Sequence, residues 1–203
     1  GAYSDRAGTF SQSAVQSNLF GSSADMNDYF NEVSYNQLIV NGTVSGWFTA
    51  DQTQAYYASN NNGLNGNYPQ NGHGFVRNIV QKSDASVNYA LYDNDGPDNI
   101  PNSGDDDGYA DAVIVVHAGA GADWGSSGNL WPYQSSLGVN EYTSNDASAN
   151  GGNSKMDSGF RRDDEQVHSS SGRESDAAPA GADSSAISAD PAAKLADESA
   201  PTT

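Results

Sequence analysis

The sequence predicts a mixed α and β fold, α+β or α/β, over residues 1–153, followed by a low-complexity acidic tail over 154–203. Three observations carry this reading. Met26, Tyr29, Phe30 and Val33 recur at i, i+3, i+4 and i+7, the stripe of an amphipathic helix. Asn41-Gly42 lies between two short apolar runs, Gln37–Val40 and Thr43–Phe48, which is a strong hairpin signal. Asp111–Val116 is almost wholly β-branched after its first two residues, as expected of a strand buried on both faces.

The remaining elements follow in order. Val15 and Leu19 lie one helical turn apart, and Gly21 can end that helix. Ser22 or Ser23 can cap the Met26–Val33 helix. Residues 50–71, rich in Asn and Gly, read as loop. Phe75, Val76, Ile79 and Val80 suggest a third helix. All three Trp and all eleven Tyr fall within residues 1–153. Residues 154–203 are dominated by Ala, Ser and acids, with scattered apolar residues. Such a segment buries too little apolar area to offset its conformational entropy, so it is expected to be disordered.

The chemistry concentrates between Tyr92 and Gly119, YDNDGPDNIPNSGDDDGYADAVIVVHAG. Seven aspartates in its first part repel one another unless a cation sits among them. Hard divalent cations take oxygen ligands, and calcium tolerates the irregular cage that a flexible loop supplies. Asp93, Asp95, Asp98, Asp105, Asp107 and Asp111 are the candidate calcium ligands, and Asp106 is expected to point away. Asp105-x-Asp107-Gly108 resembles the start of an EF-hand loop, but Val116 stands where the bidentate Glu belongs. The plain alternative is a solvated acidic turn. Interleaved glycines and the adjoining apolar run favour calcium.

Composition excludes other classes. There are 26 acidic and 8 basic residues, a net charge of −18. That opposes a nucleic-acid partner, since phosphates need Lys and Arg, and it opposes an anionic membrane surface. No stretch approaches the length of a membrane-spanning helix. There is no Cys, hence no disulfide or thiolate metal site. Ala118–Ala122 lacks the third glycine of a dinucleotide-binding turn, and no G-x-S-x-G nucleophile elbow occurs. Trp47, Phe48, Tyr56 and Tyr57 could line a substrate or carbohydrate groove, but packing in the core and the hairpin is the favoured use.

Four motifs in order carry a resemblance: MNDYFNEVSYNQLIVNGTVSGWFT (26–49), AYY (55–57), the Asp-rich stretch with its VHAG end (92–119), and SANGGN (148–153). Together they resemble the immune inhibitor A family of secreted bacterial zinc endopeptidases, over roughly residues 9–153. The resemblance implies a zincin-like domain with calcium in the Asp-rich loop, secretion, and protein or peptide substrates. It also implies catalytic zinc on an HExxH helix downstream of these motifs, and an apolar strand ahead of Gly1.

The departure from the family is as informative. Two His one turn apart, with Glu beside the first, are needed to hold zinc and activate its water. The three His here, His73, His117 and His168, are not followed by Glu, and none has His four residues on. No catalytic residue is therefore assigned. The resemblance is expected to stop at Asn153, as after a truncation or a frameshift. The expected function is a calcium-binding metalloendopeptidase-family domain that is inactive alone. The alternatives are a non-catalytic extracellular calcium-stabilised module and a gene remnant.

Overall fold

The computed structural model describes residues 1–125 and 128–157. Helix α1 spans Gln12–Phe20, and the Ser11 hydroxyl caps it by accepting from the Ala14 amide at 3.1 Å. Helix α2 spans Met26–Val33. Its cap is Asp25, not Ser22 or Ser23: the carboxylate accepts from the Asp28 amide at 2.8 Å. Asp suits this position because its charge also opposes the positive end of the helix dipole.

The expected hairpin around Asn41-Gly42 does not form. Neither residue has positive φ, and no strand occurs between 36 and 48. The backbone bonds sideways instead. Gln16 of α1 donates to the Gly42 carbonyl at 3.1 Å and accepts from the Val44 amide at 2.6 Å. Asn27 of α2 accepts from the Val40 amide at 2.9 Å. One side-chain amide offers the donor and acceptor that a partner strand would have supplied. Gly42 serves close approach, since a Cβ there would meet the Phe20 ring at 2.5 Å.

The stretch read as loop contains helix α3, Gln54–Ala58, capped by Thr53 and ended by Ser59 in the left-handed region. Helix α4, Gly72–Ser83, begins at Asn71, whose side chain accepts from the Gly74 amide. It buries Phe75, Ile79 and Val80. Tyr3 stacks on Phe75 with ring centroids 4.7 Å apart, and Tyr57 meets Phe75 edge-on at 5.3 Å. Ala50, Ala58, Ile79, Ala118 and Leu130 complete this core, against which Trp47, Phe48 and Tyr56 pack as expected. A second core joins Val80, Tyr89, Ala110 and Met156.

The Tyr3 hydroxyl is buried without a partner among the described residues. Burial also pushes its pKa well up. An unsatisfied hydroxyl costs about 1–3 kcal/mol. Tyr3→Phe is therefore expected to leave urea-induced stability unchanged or raise it by about 1 kcal/mol. A clear loss would show that the hydroxyl has a partner.

The Asp111–Val116 run is not part of a sheet, and it is not buried on both faces. Val113 and Val115 pack against the two cores, whereas Ile114 is 52% and Val116 37% exposed. The only sheet among the described residues is elsewhere. Strands β1, Tyr142–Ala147, and β2, Asn153–Met156, pair antiparallel with Tyr142 opposite Met156 and a bulge between Thr143 and Ala147. Gly151 and Gly152 take positive φ (91° and 81°) in the connecting turn. The boundary drawn after Asn153 thus cuts through β2: Ser154 and Met156 are buried, and Lys155 bonds to Gly108 and Ala110. The expected disorder of the rest of 154–203 concerns residues outside those described. No helix among the described residues is long and apolar enough to cross a membrane.

Candidate metal centre

The Asp-rich loop is built on the second core. A 3-10 turn, Tyr89–Tyr92, buries Tyr89 and Ala90 and delivers Asp93 into the interior, 1% exposed. One Asp93 oxygen, Oδ2, accepts from the Gly108 amide at 3.0 Å. Gly108 can take its φ of +85° at little cost. The other oxygen, Oδ1, is buried with no partner among the described residues.

Asp106 is the second anchor. It is 4% exposed, and its two oxygens accept from the Gly96 amide at 2.9 Å and the Ser103 amide at 2.6 Å. Gly96 lets these carboxylates close in, since a Cβ there would meet Asp105 Oδ2 at 2.6 Å. Asp95 accepts from the Asp107 amide at 3.1 Å. Asp93, Asp95 and Asp106 each bring one oxygen to within 4.8 Å of the others. Calcium holds its oxygens at about 2.3–2.6 Å, so ligands across its shell lie up to roughly 5 Å apart. The spacing fits.

The other sequence candidates lie in the same loop but make different bonds. Asp98 accepts from the Ile100 amide at 2.8 Å. Asp105 accepts from the Asp98 amide and the Ser103 hydroxyl. Asp107 accepts from the Tyr109 amide at 2.8 Å, and Asp111 from the Asn94 amide at 3.2 Å. These four fold the loop; they do not join the three-oxygen group. Asp106, expected to point away, belongs to it. Asn102 ties the loop to the β1–β2 hairpin: its amide donates to the Asp93 carbonyl at 2.7 Å, and its side chain bonds both Ala147 and Ala149.

Electrostatics agree with the geometry. Burial, then the charges of Asp106, Asp107 and Asp95, push the Asp93 carboxyl up to about 7. The Ser103 hydroxyl holds Asp105 below the usual carboxylate range. A cation would replace the proton that Asp93 otherwise keeps.

The two described histidines, His73 and His117, join no metal-capable group. His73 Nε2 lies 2.9 Å from the Ser135 hydroxyl. His117 sits half-buried at the end of the extended run, with Nδ1 3.2 Å from the Ala118 carbonyl, and burial lowers its pKa. His168 falls outside the described residues. The aspartate trio is the only metal-capable group among the described residues, and no His joins it.

The helices, the small sheet, the two cores and the acidic loop define a mixed domain of helices and a two-stranded sheet, with three carboxylates brought together in the loop. A family model described as the catalytic domain of immune inhibitor A peptidase M6 matches residues 8–178, and the chain belongs to that family. The match runs past Asn153, so the resemblance does not stop where the quoted motifs stop. A search of the curated proteins found no match. The family comprises secreted zinc peptidases that act on proteins. The sequence has no His-Glu-x-x-His run, and among the described residues no two His come together with a carboxylate, so the described residues do not fit that zinc.

Proposed function

We propose that this chain is a calcium-stabilised domain of a secreted peptidase family, proteolytic by ancestry and without hydrolytic activity of its own. Asp93, Asp95 and Asp106 are the inner ligands, with backbone carbonyls completing the shell. Asp98, Asp105, Asp107 and Asp111 hold the loop in shape around them. The observation that supports the site is the buried, unpartnered Oδ1 of Asp93 beside two further carboxylates. Leaving such an oxygen without a proton or a cation is costly. What supports inactivity is the sequence itself, which lacks any pair of His one helical turn apart.

The purified chain with added zinc should not cleave casein. Chelator-sensitive cleavage that is lost on substituting any one of His73, His117 or His168 would overturn this reading.

Proton and cation compete at Asp93. Its carboxyl titrates near 7 in the folded protein and near about 3.9 when unfolded. The folded state therefore binds the extra proton between these values, and the contribution of Asp93 to metal-free stability falls as pH rises through that window. Melts in chelator at pH 5.5 and 7.5 should show the fall in the wild type and a smaller one in Asp93→Asn. Calcium should oppose it. An identical pH dependence in both proteins would remove Asp93 from the account.

A further inference from the structure

A cleft of about 230 Å³ opens beside α3 and α4, and its walls come entirely from residues 51–81. Gly74, Arg77, Asn78 and Gln81 recur at i, i+3, i+4 and i+7, so they share one face of α4. Tyr56 and Tyr57 of α3 and the Tyr68-Pro69 segment line the rest. A side chain at Gly74 would collide with the Pro69 carbonyl, so its absence lets that segment close against the helix.

The polar centre of the cleft is fixed. The side-chain oxygen of Asn78 accepts from the Asp51 amide at 2.9 Å and from the Tyr57 hydroxyl at 3.2 Å. Its Nδ2 donates to Asp51 Oδ2 at 2.9 Å, which leaves one N–H for a ligand. Burial pushes the Tyr57 hydroxyl up to about 12, so it stays a donor at neutral pH. The charges are spent within the protein. Asp51 Oδ1 lies 2.6 Å from Lys82 Nζ, and Lys82 with Asn78 holds that carboxyl below its usual range. The Arg77 guanidinium lies over the Tyr142 ring, 5.5 Å from its centroid. The side chains of Gln52 and Gln81 and the hydroxyls of Tyr56 and Tyr68 have no hydrogen-bond partner among the described residues.

Aromatic faces set among uncharged donors and acceptors match one class of small ligand. A pyranose ring carries C–H groups on its faces and hydroxyls round its edge, and each hydroxyl both donates and accepts. Tyrosine rings suit the faces, and planar amides suit the hydroxyls. The volume is below the roughly 300–1,000 Å³ of drug-sized sites, which suits a single ring. The net charge of −18 opposes an anionic ligand, and Lys82 already occupies the carboxylate that a cationic one would need.

We propose that this cleft binds one neutral pyranose unit, with Tyr56 and Tyr68 against its faces and Gln52, Asn78 and Gln81 on its hydroxyls. A free monosaccharide and the terminal unit of a glycan present the same ring. The test titrates the full, isotopically labelled chain with the methyl glycosides of glucose, galactose, mannose and N-acetylglucosamine, and follows side-chain amide signals by NMR. A ligand of this size is expected to bind with a dissociation constant on the order of 1 mM. The expected result is a saturable shift of the Gln52, Asn78 and Gln81 amides with at least one of the four. Tyr68→Ala should weaken that binding about tenfold, whereas Tyr35→Ala, outside the cleft, should leave it unchanged. A trisaccharide ending in the same ring separates the sources: binding at least as tight as the glycoside assigns the cleft to glycan ends, and weaker binding assigns it to the free sugar. Absence of a saturable shift with all four glycosides would overturn the proposal. So would equal shifts with glycerol, tighter binding of methyl glucuronide, or a Tyr68→Ala chain that binds as the parent does.

Discussion

Calcium should raise the melting temperature of this chain by roughly 5–10 °C when present at about a hundredfold excess over its dissociation constant. The figure follows from linkage. A ligand that binds only the folded state at that excess adds about 2.7 kcal/mol, and a domain of this size shifts by about 2–4 °C per kcal/mol. Asp93→Asn should remove most of the increment, because it takes the charge from the one carboxylate of the acidic loop that is buried with an unpartnered oxygen among the described residues. Asp106→Asn and Asp95→Asn should each weaken it. Asp111→Asn should cost less, since that exposed side chain bonds the Asn94 amide and stands outside the trio. Magnesium should substitute poorly, because it demands a tighter octahedron and gives up water reluctantly. Equal melting temperatures in calcium and in chelator would reduce the loop to a solvated acidic turn.

A chain cut after Asn153 should lose cooperative unfolding, whereas one cut after Asp157 retains all of β2 and is the matched control. The cut removes Met156, 1% exposed in the second core, and the wholly buried Ser154, whose carbonyl accepts from the Ser144 hydroxyl at 3.0 Å. It also removes Lys155, whose amide donates to the Gly108 carbonyl and whose carbonyl accepts from the Ala110 amide, both at 3.0 Å. Those two bonds anchor the segment that carries Asp106 and closes over Asp93. Met156→Ala alone should cost about 2–5 kcal/mol, read from urea denaturation. Truncation should therefore also weaken calcium binding. Unchanged stability after loss of residues 154–157 would contradict the placement of Met156 in the core.

What the sequence disclosed tracks the range of the forces involved. The α2 stripe and the Phe75–Val80 helix rest on local periodicity, and both helices formed. Their caps were less legible: Asp25 competed with two serines, and only the fold shows which side chain reaches the first turn. The Asn41-Gly42 signal failed because Gln12, Gln16 and Asn27, distant in sequence, bond the backbone that a hairpin would have paired. The hairpin that does form, β1–β2, was hidden by polar residues, YTSNDA, in its first strand. The Asn150-Gly-Gly turn was its one local signal. In the acidic loop, spacing identified the segment but not which three carboxylates come together, Asp93, Asp95 and Asp106. Asp106 turns inward because Gly96 and Ser103 offer amides to it, a contact between two arms of the loop. Simple alternation could not foresee that contact.

The central claim is that one cation sits among Asp93, Asp95 and Asp106. The most direct measurement is an anomalous difference map from a crystal of this chain grown in calcium. The account predicts a single strong peak in the loop, about 2.3–2.6 Å from one oxygen of each of these three carboxylates, and no such peak in crystals of Asp93→Asn. A loop without a peak, or a peak held only by Asp98, Asp105, Asp107 or Asp111, would contradict it.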